Sequence, residues 1–195
     1  MGQWLIDSSF PINPNGSQPI FGYTNQLANA YLVSTRNTYV EENTGSYTLV
    51  GGIYSYSGIS TPRGIVRITS AGTIDNSFIS TSGFTFINPG LIGILSLPNS
   101  QYLVYGTFMS YSGISKNSLA RLNYDGTLDT SFPNSISTFV GIPTFISIVK
   151  VLSNNKIFVG GDFSSYNGIS RRNMLLLNYD GSLDTNFVPH NPTGS

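Results

Sequence analysis

What constrains the fold of this chain most is that it spells one long pattern three times. "LVGGIYSYSGISTPRGIVRITSAGTIDNSF" (Leu49 to Phe78), "LVYGTFMSYSGISKNSLARLNYDGTLDTSF" (Leu103 to Phe132) and "FVGGDFSSYNGISRRNMLLLNYDGSLDTNF" (Phe158 to Phe187) align along their whole length. Gly52, Gly106 and Gly161 hold equal positions, 54 and then 55 residues apart. Tyr56, Tyr111 and Tyr166 also correspond, as do Gly58, Gly113 and Gly168, each 55 residues apart. Self-similarity at such a period marks an array of small units, none able to bury its apolar face alone, so neighbours must stack.

A fourth fragment, "LIDSSF" (Leu5 to Phe10), copies the closing motif alone. Asp7 lies 68 residues before Asp75, against 54 from Asp75 to Asp129, so the first unit carries about fourteen extra residues. They fall in the Pro-, Asn- and Gly-rich stretch Pro11 to Tyr31, which reads as a long surface loop. The chain therefore divides into a leading strand (1–10), a first unit with the inserted loop at about 11–31 (11–78), a second unit (79–132), a third (133–187) and a tail (188–195).

Each unit reads as strands. In the third, "FISIVKVLS" is apolar and β-branched, Asn154-Asn155 signals a tight turn, "KIFVGGDF" returns, "SSYNGIS" turns on Gly168, and "NMLLLNYD" and "SLDTNF" close. No helical periodicity is visible. The expected fold is all-β: three tandem four-stranded antiparallel sheets of about 54 residues, arranged like propeller blades or about a pseudo-threefold axis as in a β-prism. Three blades do not close a propeller, so other copies or partners are expected to supply missing edges. "LIDSSF" reads as a strand that completes the chain's own last sheet or a neighbour's.

Composition removes several functions. Lys plus Arg and Asp plus Glu are nine each, and charged residues make up 9%. Nucleic acid is not an expected partner, because phosphate binding needs a basic surplus. Cys is absent, which removes disulfides, thiol catalysis and thiolate metal sites together. No basic-then-apolar leader opens the sequence and no window approaches 18 apolar residues, so no membrane insertion is expected.

The motif "NYDGTLD" offers Asn123, Asp125 and Asp129 as oxygen donors, which raises a calcium loop. The first unit argues against it: Ala71 stands where Asp125 and Asp180 stand, while the glycine and the last Asp remain. A turn needs only Gly72, Gly126 and Gly181 with a capping carboxylate at Asp75, Asp129 and Asp184. No metal or cofactor is expected. Phe10, Phe78, Phe132 and Phe187 end the copies and read as plugs of the core between units; sugar stacking is the alternative. Arg67 and Arg121 are expected to pair with Asp75 and Asp129, eight residues on. Leu176 replaces that Arg in the third copy and reads as the mark of a terminal or interface unit. Arg171-Arg172 reads as a solvated turn. His190, the single histidine, sits in a Pro/Gly tail, too loose for a catalytic triad and too solitary for zinc.

The combined pattern, G-G-x-F-x-x-Y-x-G followed by R-L-N-x-D-G-[ST]-L-D-x-x-F, resembles the delta-60 repeat family. The third copy matches best, with Leu176 for Arg; the first is weakest, with Ala71 for Asp. The resemblance covers Leu49 to Phe187 and Leu5 to Phe10. It implies propeller-like blades in bacterial surface or secreted proteins and in bacteriophage virions, and it implies no catalytic residues.

The expected function is a non-enzymatic structural or host-recognition component of a phage tail or baseplate, meeting other copies of itself or other virion proteins. Two further readings are a carbohydrate-binding lectin or adhesin, with Tyr56, Tyr111 and Tyr166 as stacking platforms for a cell-surface glycan, and a bacterial surface propeller. The loop that breaks the repeat, with Phe21 and Tyr23 as its aromatics, is the expected protein-specific contact.

Overall fold

Each copy of the pattern folds into a principal three-stranded antiparallel sheet with a small hairpin sheet beside it. The computed structural model describes residues 38–42, 44–50, 55–56, 59–60, 64–79, 81–85, 92–133, 136–137 and 145–189. The leading strand, the 11–31 loop with Phe21 and Tyr23, and His190 lie outside the described residues.

In the first unit β1 (Thr38–Glu41), β2 (Tyr47–Val50) and β5 (Ile65–Ile68) form the principal sheet, and β3 (Ser55–Tyr56) pairs with β4 (Ile59–Ser60). In the second, β7 (Ile92–Ser96), β8 (Tyr102–Gly106) and β11 (Leu119–Leu122) form it, with β6 (Phe84–Thr85), β9 (Ser110–Tyr111) and β10 (Ile114–Ser115) beside it. In the third, β13 (Phe145–Val151), β14 (Ile157–Asp162) and β17 (Met174–Leu177) form it, with β12 (Ile136–Ser137), β15 (Ser165–Tyr166) and β16 (Ile169–Ser170) beside it. Among the described residues every strand pairs within its own unit.

Turn chemistry sets these registers. Asn155 and Ser100 take φ of +60° at the β13–β14 and β7–β8 turns, where a left-handed residue closes the loop. The β9–β10 and β15–β16 hairpins turn on two positive-φ residues, Ser112-Gly113 (+47°, +80°) and Asn167-Gly168 (+48°, +79°), the twist that two-residue hairpins favour.

The four-stranded sheets expected from the sequence are three-stranded. The fourth segment of each unit is reduced to one bridge: Ile68 with Ile74, Leu122 with Leu128, Leu177 with Leu183. The reason lies one residue further on. After the Asp129 N–H donates to the Arg121 carbonyl (2.9 Å), the Asp129 carboxylate accepts the Ser131 N–H (2.9 Å). The Phe132 N–H then turns back to the Asp129 carbonyl (3.4 Å). The capping carboxylate curls the chain off the sheet edge before a ladder can extend.

Among the described residues two apolar cores lie between units rather than within them. The first joins Ile65 and Phe78 of the first unit to Phe84, Ile94, Tyr102, Val104, Phe108, Tyr111, Ala120 and Leu122 of the second. The second joins Leu103, Leu119 and Phe132 to Ile146, Val149, Ile157, Val159, Leu175 and Leu177 of the third. Alternate residues of β8 thus serve opposite cores: Tyr102 and Val104 face the first unit, Leu103 the third.

The glycine of the motif serves both the turn and the junction. Gly126 has φ +86°, and a methyl added there would lie 2.9 Å from the ring of Phe78 in the preceding unit. Gly181 has φ +88°, and a methyl there would lie 2.7 Å from Phe132. Gly113 has φ +80° but open space around it. Gly113→Ala is therefore expected to cost about 1–2 kcal/mol, the left-handed backbone alone, and Gly126→Ala clearly more. Denaturant unfolding of the two variants checks this; equal losses would remove the junction role of Gly126.

Candidate functional site at the junctions between units

The repeated motif builds a turn held by its own side chains. In the second unit the Asn123 N–H donates to Thr127 O (2.8 Å) and the Gly126 N–H to Asn123 O (3.0 Å). Asp125 Oδ1 accepts the Thr127 N–H (3.0 Å) and hydroxyl (2.7 Å), and Asp180 does the same for Ser182 (2.8 and 2.7 Å). The hydroxyl and backbone bonds hold both carboxyls below the ordinary range. In the first unit Thr69 replaces the missing carboxylate: its hydroxyl accepts the Thr73 N–H (3.3 Å) and meets the Thr73 hydroxyl (2.8 Å). These oxygens answer backbone donors. Among the described residues no three of His, Asp or Glu gather to hold a metal.

The arginines join one unit to the next. Arg67 is buried, and its guanidinium lies over the rings of Phe78 (4.5 Å to the centroid) and Tyr124 (4.2 Å). It pairs with Asp75 (3.6 Å), donates to Thr48 Oγ1 (3.2 Å) and the Tyr102 hydroxyl (2.8 Å), and donates to the backbone carbonyl of Tyr124 in the second unit. The Tyr102 hydroxyl in turn donates to Glu42 Oε1 (2.6 Å), a second link across the same junction. Arg121 repeats the scheme one unit on. It pairs with Asp129 (2.8 Å), lies over Phe132 (4.6 Å) and donates to the carbonyl of Tyr179 (2.7 Å). The intra-unit pairing with Asp75 and Asp129 matches the sequence reading; the crossing to the next unit's turn is additional.

A signal for that crossing is present in the sequence but offset by one unit. Arg67 meets Tyr124 and Arg121 meets Tyr179. The first unit's turn carries Ser70 in place of the tyrosine and the third unit carries Leu176 in place of the arginine. Those are the two positions for which the described residues contain no junction partner. Where Leu176 stands, Asp184 is instead paired with Lys156, from the position that Gln101 holds in the second unit. Gln101 itself donates to Asp129 (2.9 Å).

The other sequence-derived candidates fall as follows. Tyr111 and Tyr166 are both 0% exposed, and their hydroxyls donate to the Gly126 (2.7 Å) and Gly181 (2.6 Å) carbonyls. A ring with no open face cannot stack on a sugar, so these two tyrosines hold the side hairpins to the motif turns and are not platforms. Tyr56 lies on β3; its side chain is outside the described residues. Phe78 and Phe132 are buried at the two junctions. Phe187 has no junction of its own among the described residues and packs edge-on against Phe158 (6.4 Å). Lys116, not singled out by sequence, is buried and donates to Phe132 O (2.7 Å).

The electrostatics suit structure better than proton transfer. Burial pushes the Tyr111 and Tyr166 phenols up. Burial opposes ionisation of Asp129, but bonds from Ser131, the Arg121 guanidinium and Gln101 outweigh it and hold the carboxyl at about 2. Groups moved away from neutrality in these directions are poor general acids and bases near pH 7.

Arg121→Ala leaves Asp129 and the Tyr179 carbonyl without their cation, and breaking a buried pair of this kind is expected to cost about 3–5 kcal/mol. Arg121→Leu combined with Gln101→Lys copies the third unit and is expected to recover part of that loss; thermal melts of the three proteins decide it. The pH dependence has a definite sign. The folded pKa of Asp129 lies below its usual 3.8, so its pairing contributes full stability above that value and loses it as pH falls toward about 2. Melting temperatures measured from pH 7 to 2 should drop in that acid window, and less steeply in Asp129→Asn.

A family model described as "Domain of unknown function (DUF5122) beta-propeller" matches residues 45–78, 97–132 and 152–187, together more than half of the chain. Each matched segment closes on the turn and phenylalanine described above. No curated protein and no solved structure matches the chain. With its antiparallel sheets and its matched repeats built round one turn, the chain belongs to the beta-propeller family of unknown function DUF5122.

Proposed function

We propose that this chain is a non-enzymatic assembly or host-recognition component of a bacteriophage tail or baseplate, built of delta-60-type propeller-like repeats. The observation that carries the non-enzymatic part is that the charged residues of the motif are each engaged by a partner within the array, the arginines at the junctions and Asp125 and Asp180 on exposed turns. Arg67 and Arg121 bridge units, Asp75, Asp129 and Asp184 answer cations, and Asp125 and Asp180 hold turns. A repeat whose polar groups satisfy one another is a scaffold, and scaffolds act through their surfaces.

The virion setting rests on the repeat resemblance and on the uncharged, Ser-, Thr- and Asn-rich composition, which suits a protein packed among partners. Other copies of this chain or other virion proteins are its proposed partners. The bacterial-surface reading draws on the same resemblance. The glycan-binding reading is weaker, because two of its three platforms are buried. Peptide mass spectrometry of purified phage particles tests the setting. The chain is expected among the structural proteins in fixed ratio to other tail components; its absence from particles and presence on the bacterial envelope would overturn the phage assignment.

A further inference from the structure

The principal sheets of the second and third units present equivalent faces that end up in different surroundings. In the second unit Leu103 pairs across the sheet with Leu95 and Arg121, and Tyr105 pairs with Gly93 and Leu119. That face is sealed by the third unit: Leu103 and Leu119 are 0% exposed. In the third unit the same positions are Phe158, paired with Lys150 and Leu176, and Gly160, paired with Ile148 and Met174. Here Met174, the counterpart of Leu119, is 40% exposed and Ile148 is 49% exposed. The half-buried Phe187 packs beside Phe158. The face that is a core surface in one unit is an open apolar surface in the next.

We propose that this face of the third sheet is a self-association surface, on which a second copy of the chain packs with the same face about a two-fold axis. Three observations select that occupant. First, the equivalent face is already an interface at the earlier junction, so its size and shape suit a sheet of this type. Second, the third unit has dropped the group that a head-to-tail junction uses. Leu176 replaces the arginine that reaches a following turn, and Asp184 is satisfied within its own unit by Lys156. At a two-fold contact equivalent residues approach one another. Arginine there would bring like charges together, whereas leucine packs. Third, the opposite face of the first sheet is not open to receive it: Val66 and Ile68 are 4% and 1% exposed. Lys150 shares the face, and its stem is long enough to carry the ammonium to the rim. A chain with nine positive and nine negative residues also has little net repulsion to overcome.

The inference rests on the reading of the chain as an assembly protein, but not on its virion setting. Size-exclusion chromatography with light scattering on the full chain, across a dilution series, tests it. The expected mass is twice that of the chain at high concentration, falling toward one chain on dilution. Leu176→Arg, which restores the residue of the other units, and Met174→Glu are expected to give monomers that melt like the parent chain diluted to its monomer. A chain that is monomeric at every concentration overturns the inference. So does an oligomer that Leu176→Arg leaves intact or strengthens, which is the outcome for head-to-tail stacking. A dimer absent from particles would overturn the virion setting alone; a monomer found in particles would overturn the two-fold contact alone.

Discussion

A guanidinium reaching from one unit to a backbone carbonyl of the next is the contact on which the rest of the array depends. A buried cation is tolerated only when charge, hydrogen bonds and ring faces replace its water. Arg67 and Arg121 find all three at the junctions: a carboxylate of their own unit, the carbonyl of the next motif turn, and aromatic rings from both sides. The other repeated residues serve that geometry. The glycine leaves room for the preceding phenylalanine, and the capping aspartate orients the guanidinium while curling the chain off the sheet. The buried tyrosine of the side hairpin holds the turn's carbonyl.

What recurs along the chain is a set of physical roles rather than a set of residues. The oxygen that caps the motif turn is a carboxylate in two units and a threonine hydroxyl in the first. The partner of the last aspartate is an arginine in two units and, in the third, a lysine from the turn just before β14. One cross-strand pair even exchanges its sizes. Gly93 faces Tyr105 in the second unit, where an added methyl would lie 2.2 Å from the tyrosine ring. Gly160 faces Ile148 in the third, where it would lie 2.7 Å from the isoleucine. In each pair the glycine leaves room for the larger residue across the strand.

For function, this arrangement separates the inside of the array from its working surfaces. The motif that first suggests a metal loop spends its oxygens on its own turn and on the junction, and of the residues that suggest sugar platforms Tyr111 and Tyr166 are buried. The proposed contacts with partners fall to positions where units differ or where a repeated face is left open. The exposed third sheet is such a place.

The sequence by itself determined the all-β class, the three-fold repetition, the turn role of the Asp-Gly motif and the pairing of Arg67 and Arg121 with aspartates eight residues on. These follow from local chemistry: positive φ, capping oxygens and a period that shows in the text. Tertiary structure alone decided the rest. Four strands became three plus a bridge because the Asp129 carboxylate captures the Ser131 N–H where a ladder would continue. Tyr111 and Tyr166 turned inward because their hydroxyls reach carbonyls fifteen residues away. Arg67 and Arg121 proved to be links between units because their second partners lie more than fifty residues further along the chain. Such contacts join residues far apart in sequence, and only the stacking of one sheet on the next brings them within bonding distance.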